Sequence, residues 1–308
     1  MPMNHHYSLE GITLQNSWLA VGVFDGVHRG HQQIISTLTR GAHAQGFPAV
    51  VVTFDPHPAQ VFGRGEIKLL TLPAERADLL GEMGVDHVVT HPFNRNVANI
   101  SAFDFMKSLV DRLGLKHLVL GYDSTLGRNR EGNATRLTEI GQELGYTVEV
   151  VPALSDESGV ISSTEIRKLI STGVIVEATR LLGHPYRLRG TVVHGDHRGR
   201  ELGYPTANLD HDDQKLIPAN GVYACCAQLG AARFKAAVSI GVRPTVRTDQ
   251  RVPNVEAYLL GFDREIYSET LELEFVARLR DEMKFPSLMA LVDQIHADVT
   301  RTEQLLKS

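Results

Sequence analysis

The chain carries only two cysteines among its 308 residues, and they are neighbours, Cys225 and Cys226. Adjacent cysteines are poor material for a structural disulfide, and no third exists to pair with. A disulfide scaffold is therefore excluded, and a reducing, cytoplasmic setting is expected. Long apolar runs are missing too. Nothing approaches the roughly 20 consecutive apolar residues that span a bilayer. Residues 1–10, with Asn4, His5 and His6, lack the apolar centre of a secretory leader. No membrane partner is expected. Nor is positive charge in excess: 31 Lys and Arg against 36 Asp and Glu leave a net −5, with no overall field to draw in nucleic acid. What is present, 43% hydrophobic and 22% charged residues, is ordinary for a globular chain long enough for one large or two modest domains.

The stretch that organises the first half is residues 21–31, V-G-V-F-D-G-V-H-R-G-H. Residues 18–23 are near-continuously apolar, as a parallel strand covered on both faces requires. Asp25-Gly26 signals a turn, and Ile34, Ile35, Leu38 and Ala42 then recur at helical spacing. His28 and His31 thus stand between a strand end and a helix N-terminus. Free backbone N–H groups and the helix dipole favour anions there. Nucleotidyl transfer builds negative charge on phosphate oxygens, and two fixed donors aimed at that charge lower the barrier. Gly30 between them lets phosphate approach the backbone. An isolated H-x-x-H would read as surface histidines or half of a zinc site. The strand before it and the helix after it favour phosphate.

The motif G-V-F-D-G-V-H-R-G-H resembles the first motif of the bacterial bifunctional riboflavin kinase/FAD synthetases, members of the H-x-G-H nucleotidyltransferase superfamily. The rest of the first half fits. Strands are expected at 49–54, 86–90, 117–120 and 146–151, with helices at 74–83, 102–113 and 134–144 between them. That alternation predicts a doubly wound, Rossmann-like parallel sheet. F-D-P-H-P at 54–58 reads by itself as a rigid strand exit. The resemblance places Phe54, Pro56, His57 and Pro58 beside flavin. The polar loop at 121–133 keeps the family's Asp123, Gly127 and Gly132 but has Ser124 and Leu126 at usual aromatic positions. Asp123 is implied in flavin binding. In I-S-S-T-E-I-R at 161–167, Ser162 and Glu165 form a capping box. The resemblance makes Ser163, Thr164 and Arg167 polyphosphate contacts, and Arg167 catalytic. It likewise assigns Gly22, Phe24, Asp25, Gly26 and Gly30 to nucleotide binding, and catalysis to His28 and His31.

Beyond residue 183 the pattern changes to short strands, expected at 186–193, 206–209, 221–229, 234–241, 255–262 and 271–279. Six of them suggest a closed antiparallel β-barrel. A terminal helix at 287–306 presents Leu288, Leu291, Val292, Ile295 and Val299 on the face expected to pack on the barrel. The string from Gly190 to Asn208 closely resembles the riboflavin kinase signature and ends in P-T-A-N. Gly195, Gly199 and Gly203 allow close approach to a nucleotide. Thr206 and Asn208 offer hard oxygens suited to Mg²⁺. The resemblance makes them Mg–ATP ligands, makes Glu256 the base that takes the riboflavin hydroxyl proton, and gives Arg243 of I-G-x-R-P-T a flavin contact. Ser239 and Gly261 depart from the family's usual Asn and Asp.

Together these features imply an adenylyltransferase domain at 1–183 and a riboflavin kinase domain at 184–308. The implied substrates and products are ATP, riboflavin, FMN and FAD, with Mg²⁺ as cofactor and no nucleic-acid or membrane partner. One live domain, or a flavin-binding regulator without turnover, are the alternatives. The residues fix no oligomeric state.

Overall fold

The structure, a computed structural model, describes residues 3–63, 65–157, 159–195, 199, 202–242 and 253–307. The chain divides into two compact units, Met1–Ser163 and Thr164–Ser308. In the first, strands β1 (Asn4–His6), β2 (Ser17–Val21), β3 (Ala49–Asp55), β4 (His87–Pro92), β5 (Leu115–Gly121) and β6 (Thr147–Val151) alternate with helices. The helices are α1 (Arg29–Ala44), α2 (Pro58–Val61), α3 (Pro73–Glu82), α4 (Arg95–Ala98), α5 (Ala102–Leu113) and α6 (Ala134–Leu144). A short hairpin, β7 (Ser155–Asp156) and β8 (Gly159–Val160), follows.

The sheet order is β1-β4-β3-β2-β5-β6, every pairing parallel. Every residue of β2 is buried because the strand is covered on both faces. Leu19 and Val21 enter one core with Phe105 and Leu109 of α5 and Ile140 of α6. Trp18 and Ala20 enter the other with Ile35 and Leu38 of α1 and Leu80 of α3. This is the doubly wound parallel sheet that the alternation predicts. It has one strand more than expected: β1 pairs with β4 through Asn4↔His87, His5↔Val88 and His6↔Val89. Three polar residues, two of them bonded to β4 through their side chains as well (His5 to Thr90, His6 to His87), leave no apolar periodicity to detect.

The second unit opens with α7 (Ser163–Ser171), whose first residue closes the first unit, and α8 (Ile175–Leu182). Six strands, β9 (Tyr186–Val193), β10 (Ala207–Asp210), β11 (Gly221–Leu229), β12 (Ala232–Val242), β13 (Pro253–Leu259) and β14 (Thr270–Arg280), close a barrel in the order β10-β13-β12-β11-β14-β9. All its pairings are antiparallel. Alternation fills it: Val255, Ala257 and Leu259 are buried while Asn254, Glu256 and Tyr258 are partly exposed. The expected barrel is therefore present. Helix α8 packs on β14 and β9, and the Ala219 N–H donates to Ile170 O at 3.2 Å, so both helices are built into this unit.

Helix α9 (Leu288–Leu305) packs on β12 and β11, as expected. Its most deeply covered residues are not the apolar stripe, however. Leu291, Val292, Ile295 and Val299 are half-buried, Leu288 is 64% exposed, and Asp298 and Thr302 are buried. Asp298 accepts from Arg280 of β14, Nε to Oδ1 at 3.1 Å and Nη2 to Oδ2 at 2.8 Å. A two-pronged guanidinium clamp draws this polar face onto the barrel and leaves the first turn in solvent.

Candidate functional site

From β2 the chain steps outward through β3 and β4, then returns to β5 on the other side of β2. In a doubly wound sheet, the crevice at such a reversal is where ligands bind. A cavity of about 930 Å³ opens there. Gly22, Phe24 and His31 reach it from the β2 exit, Phe54, His57 and Pro58 from the β3 exit, and Asp123 from the β5 exit. Three motifs separated in sequence thus share one wall. Ser124 and Leu126, at the aromatic positions of the resemblance, also line it.

His28 does not line the cavity; it caps α1 from beneath, with its Nδ1 accepting from the His31 N–H at 3.4 Å. The two imidazoles stack with centroids 3.6 Å apart and planes 21° from parallel. A Cβ on Gly30 would lie 3.2 Å from His28 Cε1, so the stack depends on a bare position between the histidines. The edge of His31 meets Phe24 at 5.3 Å. His31 Nδ1 is buried with no protein partner. Such an atom costs about 1–3 kcal/mol, and a ligand that reaches it recovers that cost. Burial, then the neighbouring His28 and then the Arg76 guanidinium hold the His31 pKa well below the usual 6.5. The His31 ring is therefore neutral near pH 7. The zinc alternative finds no cluster of three or more His, Cys, Asp or Glu suited to a metal among the described residues.

The turn between the strand and α1 is strained, and its polar groups are spent holding it. Phe24 and Val27 lie at φ 52° and 40°, in the left-handed region. Such conformations cost of order 1–3 kcal/mol each and persist only where surroundings impose them. The Asp25 carboxylate accepts from the Leu70 N–H at 3.1 Å, the Thr71 N–H at 2.9 Å and Thr71 Oγ1 at 3.1 Å. The Gly26 N–H donates to Thr71 Oγ1 at 3.0 Å. Ser163 Oγ donates to Asp25 O at 2.9 Å, joining two motifs 138 residues apart. Asp25, Gly26 and Ser163 therefore shape the turn. Thr164 and Arg167 follow on α7, in the second unit.

The residue missed from the sequence is Arg76 of α3. It is 1% exposed and donates through Nη1 to Val23 O at 2.8 Å and through Nη2 to Phe54 O at 3.5 Å. One signal was available. Arg76 falls on the buried stripe with Leu79 and Leu80, where a solvated arginine has no place.

The second cluster lies on the outer face of the barrel. Asn208 of β10 stands opposite Glu256 of β13, which in turn stands opposite Ser239 of β12. Thr206 Oγ1 donates to Glu256 Oε2 at 3.4 Å, and Asn254 Nδ2 donates to Glu256 Oε1 at 2.7 Å. Asn254 is a second residue the sequence reading passed over. A Cβ on Gly195 would lie 2.1 Å from Asn208 Nδ2, so this glycine makes room for a side chain of its own barrel. A Cβ on Gly199 would likewise meet Tyr204 O at 2.4 Å, while Gly203, at φ 82°, meets nothing. The hydroxyl, amide and carboxylate oxygens of Thr206, Asn208 and Glu256 are the donor set that suits Mg²⁺. Arg243 and the rest of R-P-T lie outside the described residues, as do residues 196–198, 200 and 201.

A family profile described as FAD synthetase matches residues 12–165, and one described as riboflavin kinase matches residues 182–306. A bifunctional riboflavin kinase/FMN adenylyltransferase of Listeria monocytogenes is 36% identical over 298 residues, covering 96% of this chain and 94% of its own. That of Pseudomonas fluorescens is 37% identical over 286 residues, covering 92% and 91%. Among solved structures, a Streptococcus pneumoniae protein described as a macrolide-efflux protein superposes with a TM-score of 0.89 at 34% identity, covering 98% of this chain and 99% of that one. Among the described residues here, no helix is long and apolar enough to cross a membrane.

Proposed function

The chain belongs to the bifunctional riboflavin kinase/FMN adenylyltransferase family and makes FAD from riboflavin by way of FMN; from that premise we propose which residues carry each transfer. Adenylylation is assigned to residues 1–183 and phosphorylation to residues 184–308; the first profile match ends at residue 165 and the second begins at residue 182, two residues before that boundary.

In the first reaction a riboflavin hydroxyl attacks the γ-phosphorus of ATP, and ADP leaves. Glu256 accepts the hydroxyl proton as the O–P bond forms. Thr206 and Asn208 would hold Mg²⁺, which offsets phosphate charge when bound. The glycine-rich segment carrying Gly195, Gly199 and Gly203 covers the nucleotide, and Arg243 contacts the flavin. In the second reaction a phosphate oxygen of FMN attacks the α-phosphorus of a second ATP. The bond to the β-phosphate breaks, and pyrophosphate departs with its electron pair. The flavin lies along Phe54, Pro56, His57, Pro58 and Asp123. Gly22, Phe24 and the turn shaped by Asp25, Gly26 and Gly30 receive the nucleotide. His31 and His28 stabilise charge on the α-phosphate, while Ser163, Thr164 and Arg167 serve the outer phosphates. The substrates are small molecules, and the setting is the cytosol, where two free cysteines stay reduced.

The observation that carries the assignment is the unpartnered Nδ1 of His31 in a wall shared by three motifs. The test supplies riboflavin or FMN with ATP and Mg²⁺ and resolves FMN and FAD by chromatography. H28A should lower FAD formation ~10²–10³-fold and leave FMN formation intact. E256Q should lower FMN formation ~10²–10⁴-fold and leave adenylylation of supplied FMN intact. Equal loss of both activities in either folded variant refutes the assignment.

A further inference from the structure

We infer that Arg76 is a positioning residue for adenylyl transfer: its guanidinium ties the exits of β2 and β3 together beneath the cavity and supplies the fixed positive charge that His31 faces. The proposal rests on the reading of His31 as a residue of that reaction.

The two carbonyls that Arg76 engages stand at the two strand exits that carry the cavity wall, Val23 just past β2 and Phe54 at the end of β3. Val23 O precedes the strained turn that ends at His28, and Thr53 Oγ1 also donates to it, at 2.9 Å. Phe54 O opens F-D-P-H-P. Val23, Phe54 and His31 all line the cavity, and Arg76 does not. One planar group with two separate prongs reaches both exits; a lysine ammonium supplies charge but no fork. A buried cation is costly to keep unless opposed. Asp25 and Asp55, one from each exit, face it. The same side chain thus couples both turns mechanically and electrically.

The charge acts on His31. The groups that face this ring are His28 from its own turn and the Arg76 cation from α3, and both disfavour its protonation. Arg76 itself faces Asp25, Asp55, His31 and His5. His31 therefore stays neutral until an anionic substrate enters. Removing the cation raises its pKa, which moves the pH dependence of adenylylation to higher pH whichever protonation state is active.

The test uses the full chain with R76K, R76M and H31A. FAD formation from FMN is followed from pH 5.5 to 9, with circular dichroism and thermal melting of the same preparations as the folding control and riboflavin phosphorylation as the check on the other unit. R76K, which keeps the charge but loses the fork, should lose about 10- to 100-fold in kcat for adenylylation, with KM and the profile little changed. R76M should show a similar or larger loss and a profile displaced to higher pH. Both should phosphorylate riboflavin normally. A folded R76M with an unmoved profile overturns the inference. If R76M does not fold, R76K decides, and normal adenylylation in it overturns the inference. Adenylylation retained in H31A removes instead the underlying reading of His31, whatever Arg76 does.

Discussion

Replacing Gly30 by alanine separates what stabilises α1 from what the site needs. Gly30 is the second residue of α1, and its φ lies outside the left-handed region, so alanine fits the backbone. In a helix interior that exchange is worth up to about 1 kcal/mol, and about half of that is reasonable in a first turn. The added methyl would lie 3.2 Å from Cε1 and 3.3 Å from Nδ1 of His28. Ordinary carbon contacts begin at about 3.5 Å. The ring must yield by a few tenths of an ångström, and it is pressed against His31 at a centroid distance of 3.6 Å. The displacement therefore passes to both histidines. An error of about 1 Å in a reacting geometry costs ~10²-fold, so a third of that predicts a loss of roughly 5- to 10-fold in adenylylation. The helix gain and the ring strain nearly cancel, leaving the melting temperature within about 3 °C of the parent. Calorimetry together with both activity assays checks this. Normal FAD formation in G30A would refute the claim that the bare position protects the histidine stack. A large fall in stability would show that alanine does not fit that backbone.

Two further outcomes follow from the fold. A fragment beginning at residue 164 should be more stable than one beginning at 186, by about 3 kcal/mol or more, because the shorter one strips buried Leu181 and Leu182 of α8 from β9 and β14. Urea midpoints that agree for the two fragments would refute this. Stability of the first unit should also fall with acidification. Burial lowers the folded pKa of His5, His6, His31, His87 and His91, so the unfolded chain binds more protons in acid. The stabilisation is complete above the unfolded value near 6.5 and is lost as pH falls through the folded values. Urea midpoints at pH 7.5 and 5.5 that coincide would contradict it.

Much of this fold was legible because apolar spacing announces it. The buried run of β2, the helical stripe of α1 and the period-two strands of the barrel each bury their apolar residues as the spacing predicts. H-x-G-H, F-D-P-H-P and P-T-A-N were legible because each is a short block of sequence. What escaped is what only the tertiary fold assembles. Arg76 acquires its partners from the ends of two other elements. Asp25 turns to a segment 45 residues away, which local sequence cannot announce. The buried face of α9 is polar because of one arginine on β14.

The strand β1 lies outside the residues matched by the FAD synthetase profile, yet it occupies the end of the sheet next to β4. Without it, β4 would offer a row of backbone donors and acceptors between Val88 and Val89, both fully buried here. Such a rim recruits strands from other molecules. In its place the outermost strand of the described sheet is a three-residue segment of asparagine and histidine, too short and too polar to serve as a template. The addition works as a guard against self-association. A chain trimmed at residue 7 would keep its catalytic turns but form aggregates during concentration or prolonged storage.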